Sequence, residues 1–193
     1  MDKQLQALVN EYSGKFFASN SEIPVSQQKG IQKEISNVVK NQMASQVNSG
    51  SFTDLLELFK QGTTSGDFSG NKMFGGISDD LVGSLTNKLG LPASLGTTIA
   101  TSVLPSVLGS LAKKTADKND SSINMNDIIA SLSGKKTANK AGVDFNDVLG
   151  SVLGGGNSSS GGGFDLGSIA GSLVGGKQSS GGILGWIMKL FGK

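Results

Sequence analysis

A six-residue pattern recurs along this chain and limits what it can fold into. Its clearest copies are Asp80-Leu81-Val82-Gly83-Ser84-Leu85, Asp127-Ile128-Ile129-Ala130-Ser131-Leu132 and Asp147-Val148-Leu149-Gly150-Ser151-Val152. Ser106-Val107-Leu108-Gly109-Ser110-Leu111 and Ser168-Ile169-Ala170-Gly171-Ser172-Leu173 follow the same order, and Asp54-Leu55-Leu56-Glu57-Leu58-Phe59 is a looser relative. Each opens on a side chain suited to capping a helix and carries apolar residues at its second, third and sixth positions, with small residues usually between them. Two turns of helix do not persist alone in water, because the first turn fixes several dihedrals for a single hydrogen bond. These segments therefore pack against one another or against something else. Burying one Leu, Ile or Val contributes roughly 1.5–3 kcal/mol, so several copies offset the cost of ordering only when they share a core.

The spacing elsewhere predicts an all-α protein. Leu5, Leu8, Val9 and Tyr12 form a helical stripe over 4–12, and Pro24 then punctuates the chain. Ile31, Ile35, Val38, Val39, Met43 and Val47 mark a long amphipathic helix over 26–47, ended by Asn48-Ser49-Gly50. Further helices are expected over 51–62, over 78–89 with a stop at Gly90, over 94–112 and over 126–132. Pro105 is expected to kink the fifth of these or break it in two, since it lacks a donor and crowds the preceding turn. A polar loop holding Phe68 and Phe74 is expected over 61–76, and a charged loop over 112–122. Alternation of β-branched residues is missing, so no sheet is indicated.

The resulting organisation is a small multi-helix domain over 1–134, a Gly/Ser-rich linker over 135–182 and a C-terminal amphipathic helix over 183–193. Short helices are expected near 146–153 and 166–174. Between Gly154 and Gly182, 12 of 29 residues are Gly. Such chains behave as flexible coil, so part of this region is expected to be disordered.

Composition narrows the function classes. Among 193 residues there is no Arg, and net charge is only +2. Nucleic-acid surfaces cluster Arg and Lys on one face, whereas the lysines here are scattered or paired, as at Lys113-Lys114; DNA or RNA binding is not expected. Cys and His are both absent, which rules out disulfides, thiolate or imidazole chemistry and Cys/His zinc sites. The polar start Met1-Asp2-Lys3-Gln4 does not resemble a secretory signal. No run is expected to approach the roughly 20 apolar residues that span a bilayer. The default expectation is a soluble, cytoplasmic protein without a cofactor.

Catalytic inventory is thin. A serine nucleophile would need a buried Lys as its base, and Gly-x-Ser-x-Gly does not occur. Asp79-Asp80 is an adjacent carboxylate pair, but neighbours on a helix diverge, and charges favouring the helix dipole are the simpler reading. Gly161-Gly162-Gly163 follows no strand and lacks the Lys-Ser/Thr ending of a phosphate loop. Asp144 and Asp147 have Lys136 and Lys140 upstream, where calcium ligands would sit. Asp117, Asn119, Asp120 and Ser121 are denser in oxygen but lack the closing Glu and the turn glycine. No catalytic or metal residue is nominated, and an enzyme is not expected.

The end of the chain is its most hydrophobic segment. Ile183, Leu184, Ile187, Leu190 and Phe191 line one helical face, with Trp186 at its border and Lys189 opposite. Three uses suit this face: folding back onto the domain, contacting a partner or a second copy in a groove, or resting on a membrane surface. The sequence points first to a non-enzymatic protein-interaction or assembly protein using these short apolar helices. A peripheral membrane protein is the alternative, weakened by a length of about three turns and only two charges.

Three patches carry a resemblance: Ile23-Pro24 before the long helix, Leu104-Pro105-Ser106-Val107-Leu108-Gly109-Ser110-Leu111 with the following Lys113-Lys114-Thr115-Ala116-Asp117-Lys118-Asn119-Asp120-Ser121-Ser122, and the Gly/Leu tail. Together they resemble a group of Gly/Leu-rich helical proteins common in Bacteroidetes and, more distantly, the DUF937 and YidB-like families. The resemblance spans most of 24–156. It implies a helical fold and brings no established activity with it.

Overall fold

The computed structural model describes residues 2–49, 52–117, 119–120 and 122–133. Among them six helices follow in order: α1 (Asp2–Ala18), α2 (Val25–Ser49), α3 (Phe52–Thr64), α4 (Lys72–Leu89), α5 (Ala93–Ala116) and α6 (Met125–Ser133). No strand occurs among the described residues, so the all-α class expected from the periodicity is the one observed. The linker, its short helices and the terminal helix expected over 135–193 lie outside the described residues.

The two longest helices, α2 and α5, organise the bundle. Each of α1, α3 and α4 packs against both of them, and α6 lies on α2. The recurring pattern explains the assembly. In all four copies within the described residues the second and sixth positions are buried: Leu55 and Phe59, Leu81 and Leu85, Val107 and Leu111, Ile128 and Leu132. Third positions Leu56, Leu108 and Ile129 are buried too, while Val82 is partly covered and packs on the same core.

The opening residue of the pattern behaves differently from expectation. Asp80 and Ser106 lie inside α4 and α5, and neither starts a helix. The cap of α4 is Asn71, whose Oδ1 accepts the Phe74 N–H at 2.9 Å. Asp127 sits in the first turn of α6, where its N–H donates to Asn124 Oδ1 at 2.8 Å and its carboxylate accepts the Asn124 side-chain N–H at 2.6 Å. Helices begin upstream of the pattern because apolar residues there share its face. Gly90 does end α4, as expected, in a left-handed conformation at φ 67°.

Three further expectations are corrected. The loop expected over 61–76 narrows to 65–71, because α3 runs to Thr64 and α4 starts at Lys72. Gly75 and Gly76 weaken a helix by about 1 kcal/mol each, less than the gain from burying Met73 and Ile77 together with the Asn71 cap. Likewise α5 continues through Pro105, so of the two outcomes expected there the break does not occur, and the helix extends to Ala116 into the expected charged loop. Val103, Leu104, Val107 and Leu108 are all buried around the proline, which outweighs its penalty of about 3 kcal/mol. Finally, α5 is long and apolar enough by composition to cross a membrane, with a mean hydropathy of 1.4. It is nonetheless a central helix here, its apolar face covered by α1, α3 and α4.

Small residues set the closest helix approach. A Cβ on Gly62 would lie 2.6 Å from the Ala112 Cβ and 3.4 Å from the Gly109 Cα, so α3 and α5 cross where side chains are minimal. By contrast Gly83, inside α4, has nothing within 4 Å of a Cβ position. We expect Gly62→Ala to destabilise the fold by about 1–3 kcal/mol through overpacking, despite the better helix propensity of Ala. Gly83→Ala is expected to stabilise it by up to about 1 kcal/mol. Denaturant midpoints of the two variants should move in opposite directions; a shared direction would contradict this reading of the crossing.

Candidate functional site

The sequence nominates Ile183, Leu184, Trp186, Ile187, Leu190 and Phe191 as contact residues, and all six lie outside the described residues. Asp144 and Asp147 do as well. Within the described residues an open cleft of about 490 Å³ lies between the α3–α4 connection and the middle of α5. Residues 66–71 with Phe74 and Gly75 form one wall, and Thr101 and Pro105 form the other.

Local chemistry builds this wall. The N–H groups of Ser65 and Gly66 both donate to the Gln61 carbonyl, at 3.1 and 2.8 Å, closing α3 and turning the chain. Phe68 is then driven into the core, 3% exposed, and pins the connection down. Its ring stacks on Phe74 with centroids 5.2 Å apart and planes 10° apart. Asn71 Oδ1 is occupied as the α4 cap.

The polar groups of the cleft are largely committed to their own backbone. Asp67 Oδ1 accepts the Ser69 N–H at 2.9 Å. Hydrogen bonds from Ser69, side chain first and backbone second, hold the Asp67 carboxyl below its ordinary range. It is therefore ionised at neutral pH and poorly matched to a general base, whose pKa needs to lie near the working pH. Thr101 Oγ1 donates to the Thr97 carbonyl at 2.9 Å. Pro105 has no N–H to give the Thr101 carbonyl one turn earlier, which leaves a gap in the α5 hydrogen-bond ladder at the cleft wall. What the cleft offers is aromatic and proline surface rimmed by one carboxylate.

The most buried carboxylate among the described residues lies elsewhere. Glu34 on α2, 9% exposed, accepts Ser84 Oγ at 2.6 Å and Lys88 Nζ at 2.7 Å, both from α4. The hydrogen bonds from Lys88 and then Ser84 draw its pKa down against the opposing effect of burial. On the other side of the bundle Tyr12 Oη and Ser110 Oγ are 2.5 Å apart, tying α1 to α5. Ser84 and Ser110 occupy the same fifth position of the recurring pattern. Both ties pass from that serine to a neighbouring helix, a role the sequence reading missed by treating the position only as small.

The oxygen-rich turn after α5 is also internally occupied. Asp117 Oδ1 accepts the Asn119 N–H and Asp120 Oδ1 the Ser122 N–H, each at 2.9 Å. The Lys114 ammonium lies 3.2 Å from Asp120 Oδ2. Bonds from Ser122 and then Lys114 lower the Asp120 pKa to about 2. Among the described residues no group of three or more acidic side chains could hold a metal ion. Asp79 and Asp80 are both exposed, and Asp80 accepts from the Gln42 side chain.

Replacing the buried carboxylate tests the electrostatics. Glu34→Gln is expected to lower stability by about 1–2 kcal/mol at neutral pH, as for a charge-assisted hydrogen bond. Because folding depresses this pKa, the contribution is present above its unfolded value of about 4.5 and is lost as pH falls through the lower folded value. Denaturant melts should therefore show a gap between the two proteins that closes in acid; a gap constant with pH would refute the assignment. In comparisons with known proteins, no family model matches the chain, and no curated protein or solved structure is significantly similar to it.

Proposed function

We propose that this chain is a non-enzymatic interaction or assembly protein that acts by burying short apolar segments against protein surfaces. One observation carries the proposal: every described copy of the six-residue pattern buries its second and sixth residues between helices. The copies at 147–152 and 168–173 repeat that pattern, and 183–193 is more apolar still. Segments with the same side-chain order have the same drive to leave water, and non-polar burial is the main favourable term in protein association. A chain without His or Cys whose described cleft is walled by Phe74 and Pro105 has more to offer as a contact surface than as a reaction centre.

Deleting Ile183 to Lys193 tests the proposal directly. Affinity-purified partners and oligomer mass are compared with the full chain. Loss of a partner or a fall in mass is expected, and no change in either measurement would reject the reading.

A further inference from the structure

We propose that the cleft between the α3–α4 connection and α5 is the docking site for this chain's own C-terminal segment, Ile183 to Phe191. The inference rests on the proposed use of that segment as an apolar contact and adds where it rests when no partner holds it.

The two surfaces match in chemistry. The cleft presents Phe74, stacked on buried Phe68, opposite Pro105. The segment carries the only Trp of the chain, Trp186, an aromatic face able to pack on such rings with an N–H that needs an acceptor when buried. At the rim stands Asp67, ionised and exposed. Lys189, three residues after Trp186, supplies a charge of the opposite sign.

Connectivity favours the same chain over a second copy. Residues 134–182 separate the end of α6 from the segment. A Gly/Ser-type chain of that length has a root-mean-square span of about 40 Å. A bundle of this size has a radius of gyration of about 14 Å, so the cleft is within reach from Ser133. Tethering of this kind supplies a local concentration of up to about millimolar, which outcompetes a dilute second molecule.

The full-length protein reports on this site through Trp186 without any label. Docking predicts blue-shifted Trp186 emission, shielded from acrylamide and independent of protein concentration. Thr101→Arg places a long charged side chain in the cleft from an exposed position. It is expected to move the emission to the red and raise acrylamide quenching several-fold, with the thermal midpoint unchanged. Emission typical of exposed indole in the unaltered protein would overturn the inference. So would blue emission that Thr101→Arg leaves in place, or blue emission that develops only as concentration rises. These failures leave the interaction proposal standing if deletion of 183–193 still removes a partner or lowers the mass. Should Thr101→Arg fail to fold, the cysteine-free background provides a second route: Thr101→Cys with Gly185→Cys should form an intramolecular disulfide on mild oxidation, and intermolecular or absent cross-linking would refute the contact.

Discussion

A nine-residue helix such as α6 has too few hydrogen bonds to repay its own nucleation in water, and the thirteen residues of α3 do little better. Both exist because their apolar faces meet the same core as the longer helices. Mutual burial is thus the constraint on which this structure depends. Leu81 and Leu85 of α4, Leu55 and Phe59 of α3, and Ile99, Val103 and Leu111 of α5 are covered together. None of these faces has cover without the others. This dependence also explains why local irregularities are tolerated. Pro105 stands in mid-helix and Gly75-Gly76 in the first turns of another, yet each penalty is smaller than the burial on either side of it.

Polar contacts decide which helix meets which. The serine at the fifth position of the recurring pattern reaches α2 through Glu34 in one copy and α1 through Tyr12 in another. Aliphatic packing alone is permissive about register and partner. A buried carboxylate that needs both a hydroxyl and an ammonium is not, because leaving it unpaired is expensive. The crossing of α3 and α5 adds a steric criterion, since only Gly62 fits against Ala112 and Gly109. The ties, cap and crossing thereby engage Glu34, Ser84, Ser110, Asn71 and Gly62 in architecture.

That use of side chains bears on function. The surface left for other work combines the Phe74 and Pro105 walls of the cleft with a rim carboxylate, and the sequence adds apolar segments beyond the bundle. The proposed docking of Ile183–Phe191 treats the bundle and its terminal segment as parts of one device, in which the same apolar face serves the chain itself or another surface.

Much of the helical architecture was legible in the sequence, and the reason is local. A helix repeats every 3.6 residues, so Ile31, Ile35, Val39 and Met43 declare a buried face, and the six-residue pattern correctly marks Leu81 and Leu85 or Ile128 and Leu132 as core. Gly90 likewise announces its stop through a backbone preference of its own. The start of α4, the continuity of α5 past Pro105, the partners of Ser84 and Ser110, and the cleft were not legible. Glu34 and Ser84 are 50 residues apart in the chain, and Tyr12 and Ser110 are 98 apart. Phe68 and Pro105 become neighbours across a cleft only once α3, α4 and α5 have packed. The sequence by itself determined which residues leave water, because that depends on side-chain chemistry and helical period. Only the tertiary structure decided where each helix begins and which groups meet, because those outcomes are set by burial summed over distant parts of the chain.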